Sequence, residues 1–227
     1  MIIDNLHIVE ERIMKACLRA GRNRSDISLV AVSKTQPIAA IEEALKVGLI
    51  HFGENKAQEL RDKNSIISSG IHWHFIGHLQ TNKVKYVIDS AEYIHSVDSI
   101  KLAVEINKKA EAIGKVQKIL FEIKTSSEES KFGIQNENDF FELINKVREL
   151  ANIKAAGLMT MAPYTDDEKV IRECFKKLRL LREKAREKGY ELTELSMGMT
   201  NDYEIAIEEG ATMIRIGTAL FGDRNYN

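Results

Sequence analysis

The chain has only two prolines in 227 residues, Pro37 and Pro163, and no Gly/Ser-rich stretch separates one part from another. Without a linker signal, residues 1–227 are expected to form one domain. Cysteine is as scarce. Cys17 and Cys174 lie far apart, each within a helical pattern, which argues against a disulfide framework and fits reduced thiols in a cytoplasmic protein. No apolar run approaches the ~18 residues that a membrane span requires. The opening segment "MIIDNLHIVEERIMKACLRAG" carries Asp4, Glu10 and Glu11. A signal peptide needs an unbroken apolar core and a transit peptide avoids acids, so neither is expected. An excess of charge is also missing, with 33 Lys and Arg against 34 Asp and Glu. No global basic field speaks for nucleic acid or an anionic membrane. The basic stretch "KKLRLLREKAREK" interleaves glutamates and reads as a solvated helix face. Neither G-x-G-x-x-G nor a Walker motif occurs, so dinucleotides and nucleoside triphosphates are not expected ligands.

What is present is a rhythm. Ile2, Leu6, Val9, Ile13 and Cys17 fall on one helical face, and Gly21 is a plausible stop. Eight strand-like segments follow: "ISLVAVSKT", "IHFGEN", "HWHFIG", "YIHSVD", "VQKILFEIK", "IKAAGLMTMA", "ELSMGMT" and "TMIRIG". A helical pattern follows nearly every one, "TNKVKYVID" being a shorter helical stretch and "TALFG" the beginning of a short turn. Alternation of this kind implies parallel strands covered by helices. Eight units in about 200 residues fit a closed barrel better than an open sheet. The expected fold is therefore α/β, a single (β/α)8 TIM barrel over 27–222 with an extra N-terminal helix over 1–21.

In such a barrel the chemistry sits where strands end. Strand one ends in Ser33-Lys34-Thr35. Val30, Val32 and Lys34 share a strand face, so an apolar wall delivers an ammonium to the rim. A desolvated lysine loses its proton more readily, and the neutral amine is a nucleophile toward aldehydes. A strand-end lysine paired with Glu54 or Asp98 is an equally simple account of the position. The stretches "SMGMTND" and "RIGTALFG" close strands seven and eight with glycines and hydroxyls where helices begin. Backbone N–H groups there make an anion cradle, the usual phosphate site of this fold. Taken with the lysine, they point to a phosphorylated carbonyl compound. A metal hydrolase is the first rival. However, His72 and His74 of "HWH" stand at the start of strand three, on the stability face, and read as packing or surface residues; no metal site is expected. A Schiff-base aldolase acting on a sugar phosphate is the second, but it needs a general acid or base that the sequence does not show.

The segments "VAVSKT", "HFGENKAQEL", "HFIGHLQTNKVK", "IHSVDS", "GLMTMAP" and "LSMGMTNDYEIAIEEGATMIRIGTALFG" resemble the pyridoxal-phosphate homeostasis proteins. The likeness runs in register over nearly the whole chain. This family in turn resembles the barrel domain of bacterial alanine racemase and eukaryotic ornithine decarboxylase. The resemblance implies that pyridoxal 5′-phosphate (PLP) is held as a Schiff base on Lys34. It implies a phosphate cradle of Ser196, Gly217 and Thr218 with Thr200 beside it, Asn55 next to the cofactor, and Arg215 facing the pyridine nitrogen. An arginine there keeps the nitrogen unprotonated and the ring a weak electron sink.

Two positions depart from the family pattern. Thr200 stands where serine is common, which keeps the hydroxyl. Lys124 stands where strand five commonly ends in a neutral amide; it shares a face with Glu122 and is a second candidate amine, a partner for Glu122 or a solvated rim residue. Racemases of this superfamily take a second proton-transfer group, a tyrosine, from an added β domain. The chain ends soon after strand eight, and none of its six tyrosines stands in a recognisable catalytic context. The expectation is a PLP carrier active in intracellular vitamin B6 and amino-acid homeostasis, without efficient turnover and with no catalytic residue. PLP-dependent apoenzymes are candidate recipients, and a monomer is expected. A PLP-dependent enzyme of the racemase/decarboxylase superfamily acting on amino acids is the alternative.

Overall fold

In a computed structural model, residues 2–67, 69–126 and 132–222 are described. Eight strands run in parallel and close on themselves in sequence order. They are β1 (Ser28–Val32), β2 (His51–Glu54), β3 (His72–Phe75), β4 (Ala91–Val97), β5 (Gln117–Glu122), β6 (Ile153–Met159), β7 (Glu194–Ser196) and β8 (Met213–Ile216). β8 returns to β1, with Val30 opposite Arg215 and Ala31 opposite Ile216. The barrel places every strand's C-terminal end on one rim, as the alternating pattern requires.

The outer layer is α2 (Ile38–Lys46), α3 (Ala57–Ile66), α4 (Ile100–Glu111), α5 (Glu137–Val147), α6 (Glu168–Glu187), α7 (Tyr203–Glu208) and α8 (Thr218–Phe221). The helix α8 has only four residues, too few to cover the wall where β8 meets β1. The leading helix α1 (Ile2–Arg19) takes that place, packing against α7, α8 and α2. Its apolar stripe of Ile2, Leu6, Val9, Ile13, Ala16 and Cys17 is buried. Arg12 and Arg19 pair with Glu204 of α7, and Arg19 also reaches Glu208. The extra helix is thus structurally the missing eighth cover.

Two elements differ from the sequence expectation. The stretch after β3 forms a 3-10 turn over Thr81–Tyr86 and not an α-helix. Val84 and Val87 are buried three residues apart, the repeat that a 3-10 turn presents to one side. Strand seven stops at Ser196 because Gly198 turns the chain at φ 95°. A Cβ there would lie 2.6 Å from that of Ala206.

The barrel interior has two characters. Leu120, Ala156, Met159 and Met213 form a small apolar cluster. Beside it a file of hydrogen bonds climbs from base to rim. His51 Nδ1 meets His74 Nε2 at 3.1 Å, His74 Nδ1 meets His95 Nε2 at 2.9 Å, and His95 Nδ1 meets Ser196 Oγ at 2.9 Å. Arg215 Nη1 donates to Ser196 Oγ at 2.6 Å and its Nη2 to Thr160 O at 2.9 Å. The expectation of packing or surface histidines suits exposed His72, which contacts Glu92. His74 is the packing case, fully buried and bonded at both ring nitrogens, bonds that the sequence did not foretell.

Burial drives the imidazole of His74 down to about 3, with His51 adding to the effect. Burial, then His74 and Arg215, holds His95 well below its ordinary value. Both rings are neutral in the fold, whereas the unfolded chain protonates them below about 6.5. Unfolding then takes up protons, so their contribution to stability is present above pH ~6.5 and lost as pH falls through the folded values. Ring 15N shifts should report neutral His74 and His95 in the folded protein from pH 8 down to about 5. A midpoint near 6.5 for either ring contradicts the buried file.

Candidate functional site

The turn that carries Lys34 is built by residues around it. Thr35, next in the chain, has φ 65°, the one positive φ outside glycine among the described residues. Such a backbone persists only when its surroundings hold it. Here the Thr35 N–H donates to Glu59 Oε1 at 2.6 Å. On the other side, Ser33 Oγ donates to Glu54 Oε1 at 2.6 Å. Lys63 joins both halves: its Nζ donates to Glu54 Oε1 at 2.8 Å, to Glu59 Oε1 at 2.7 Å and to the Ser33 carbonyl at 2.8 Å. Lys63 is 7% exposed and Glu54 fully buried. Burial pushes the Glu54 carboxyl above its ordinary value, while Lys63 and Ser33 pull it back.

Lys34 itself is half-buried and lines a cavity of about 540 Å³ at the C-terminal rim. Asn55, Thr200, Arg215, Gly217 and Thr218 line the same cavity. Asn55 is set by a close approach after β3, since a Cβ on Gly77 would meet the Asn55 carbonyl oxygen at 2.3 Å. Ser196, expected in the phosphate cradle, is fully buried and does not line the cavity. Its hydroxyl joins Arg215 to His95. Lys124 does not line the cavity either. Ile123 bridges to Ile134, and the Lys124 N–H donates to the Ile134 carbonyl, which turns the chain away after β5. Asp98, the other candidate partner of Lys34, lies beyond the end of β4.

Two charged groups at the floor are shaped by desolvation. Burial pushes the Arg215 guanidinium down to about 10, against the pull of Asp202 and Glu122. Burial lifts the Glu122 carboxyl to about 7, with Asp98 raising it further and Arg215 opposing. Arg215 remains a cation at neutral pH and can only donate. A cavity of this size, lined by an amine, a guanidinium, three threonines and the start of a helix, can bind a small phosphorylated carbonyl compound.

The family model for the alanine racemase N-terminal domain matches residues 12–225. The pyridoxal phosphate homeostasis protein of Aquifex aeolicus is 47% identical over 225 residues, covering 98% of both chains. This chain belongs to the pyridoxal phosphate homeostasis protein family. Among solved structures, a protein of unknown function from Bifidobacterium adolescentis superposes with a TM-score of 0.91 at 37% identity, covering 96% of this chain and 94% of that one. PipY of Synechococcus elongatus PCC7942, solved with PLP bound, gives 0.83 at 34%, covering 94% and 100%.

Within this family member, sequence reasoning missed Lys63. Glu59 and Lys63 are spaced i, i+4, a pattern that ordinarily marks an exposed helix face. Only the close packing of α3 under the Lys34 turn makes the pair internal. Removing Lys63 leaves a buried carboxylate without its cation, a loss of ~3–5 kcal/mol for a broken buried pair. Lys63→Met should therefore destabilise the protein strongly in chemical denaturation, and the double variant Lys63→Met/Glu54→Gln should recover much of the loss. Equal stability of wild type and Lys63→Met would contradict the clamp.

Proposed function

We propose that this protein holds PLP in the rim cavity through a covalent bond to Lys34. It takes part in intracellular PLP and amino-acid homeostasis, with PLP-dependent apoenzymes as recipients and without efficient turnover of its own. The observation that carries this reading is the convergence of Lys34, Arg215, Gly217 and Thr218 on one cavity in a chain whose relatives are named PLP homeostasis proteins. PipY, which shares the fold over nearly its whole length, was solved with PLP bound.

The residues fit the group. PLP, when bound, supplies an aldehyde that condenses reversibly with a primary amine, releasing water. Lys34 offers that amine, at a turn fixed by Glu59 and Lys63. Thr200 and Thr218 offer hydroxyls to the phosphate, and the first N–H groups of α8 have no intrahelical acceptor. Arg215 is held by neutral acceptors, Ser196 Oγ and Thr160 O, so its charge is not quenched by a hydrogen-bonded carboxylate in either contact. It presents donors to the ring nitrogen and takes no proton from it. This arrangement suits holding and exchanging the cofactor better than stabilising a carbanion. Ser196 belongs to the support of Arg215 in this scheme, not to the phosphate cradle.

The purified protein mixed with PLP should develop an absorbance band that borohydride bleaches. Lys34→Ala should lack the band while keeping its melting behaviour. A protein that stays colourless with PLP overturns the proposal, and steady turnover of amino acids by the loaded protein replaces the carrier reading with an enzyme.

A further inference from the structure

The proposed site uses Lys34, just beyond β1, and Arg215 on β8, yet a further ionisable group, Glu122, lines the same cavity. Glu122 is the last residue of β5. In a closed barrel of eight strands in sequence order, β5 stands across from β1. Glu122 is 4% exposed and lines the cavity that Lys34 lines. Its Oε2 is buried and has no hydrogen-bond partner. A carboxyl oxygen left unpaired at that depth is costly unless a ligand or a proton satisfies it. None of the roles given above to Lys34, Arg215 or the threonines accounts for it.

We propose that Glu122 accepts the proton of primary ammonium compounds entering the cavity, so that amines can exchange with Lys34 for the bound cofactor. This inference rests on the reading that PLP is held at Lys34. The ligand class is a primary amine, such as an amino acid or a lysine side chain of another protein. Such an amine arrives as R–NH3+ and has no free lone pair. The ionised Glu122 carboxylate takes one proton. The freed nitrogen lone pair forms the new C–N bond. As the carbon's double bond passes from the Lys34 nitrogen to the incoming one, the lysine nitrogen keeps the electron pair of its broken bond. It takes the two N–H protons left on the incoming nitrogen. Glu122 returns its own proton, so Lys34 leaves as an ammonium. One amine is exchanged for another, and no oxidant or reductant is needed.

A carboxyl at its ordinary value would be a poor acceptor for an ammonium proton, whereas one near neutrality is better matched. Burial, then Asp98 beyond β4, lifts Glu122 to about 7, and Arg215 restrains the rise. The other titratable groups that line the cavity are Lys34, His78 after β3, Tyr164 and Asp166 after β6, Asp202 after β7 and Arg215 on β8. Lys124 follows on the same strand and does not line the cavity.

Two measurements test this. In the protein without PLP, 13C carboxyl NMR should show one carboxyl titrating between about pH 6 and 8 that is absent in Glu122→Gln. If no carboxyl titrates there, the inference is overturned whether or not PLP binds. In the protein loaded with PLP, the rate at which a simple amine such as glycine displaces Lys34 is followed by the absorbance shift. Glu122→Gln should slow it ~100-fold, the lower end for general-base assistance, with PLP affinity changed less than about threefold. The wild-type rate should rise with pH through the Glu122 titration, and Glu122→Asp should recover part of the rate. An unchanged exchange rate in a Gln variant that binds PLP overturns the inference while leaving the cofactor reading intact. A loss of affinity with an unchanged exchange rate makes Glu122 a structural residue and also overturns it. Failure of the wild type to bind PLP at all would instead defeat the reading beneath it.

Discussion

The buried ammonium of Lys63, shared between Glu54 and Glu59, is the contact on which the candidate site depends. It touches the Ser33 carbonyl and both carboxylates within 2.8 Å, and those carboxylates hold Ser33 Oγ and the Thr35 N–H. Lys34 therefore sits between two anchored neighbours, and its left-handed successor cannot relax. A lysine on a flexible loop would spend rotamer freedom at each binding event. Here the cost is met once, when the barrel folds. Glu54, which the sequence offered as a candidate partner for Lys34, takes part in the clamp itself. The contacting oxygen of Glu54 is engaged by Lys63 and Ser33.

A second constraint runs through the barrel. Arg215 is buried beside β1 and contacts only neutral acceptors in its two side-chain bonds. Below it, His95, His74 and His51 continue the file to the base. Neutral imidazoles can satisfy a hydroxyl and one another without adding charge beneath the guanidinium. Protonated ones would crowd positive charge into a low-dielectric core. The file thus supports a cationic Arg215 through Ser196.

Much of this was legible in the sequence, for a physical reason. Strand and helix alternate with different hydrophobic periods, so β1 through β8 stand out, and strand ends then list the rim. Lys34, Asn55, Thr200, Arg215, Gly217 and Thr218 do converge on one cavity. What sequence could not show was depth. Ser196 reads like any hydroxyl in a glycine-rich turn, but the strand ends there and turns it inward under Arg215. Lys63 reads as an exposed i, i+4 partner. Glu122 and Lys124 look equivalent by parity until the Ile123–Ile134 bridge separates them. The short helical stretch after β3 was legible too, but not its 3-10 form over Thr81–Tyr86, since three-residue and four-residue spacings differ little over so few positions.

The central claim is that Lys34, held by its clamp, is the amine that binds the cofactor. The most direct measurement is borohydride reduction of the PLP-loaded protein, followed by peptide mapping of the modified lysine. The account predicts the label on Lys34 alone. A label on Lys124, or on no single lysine, would contradict it.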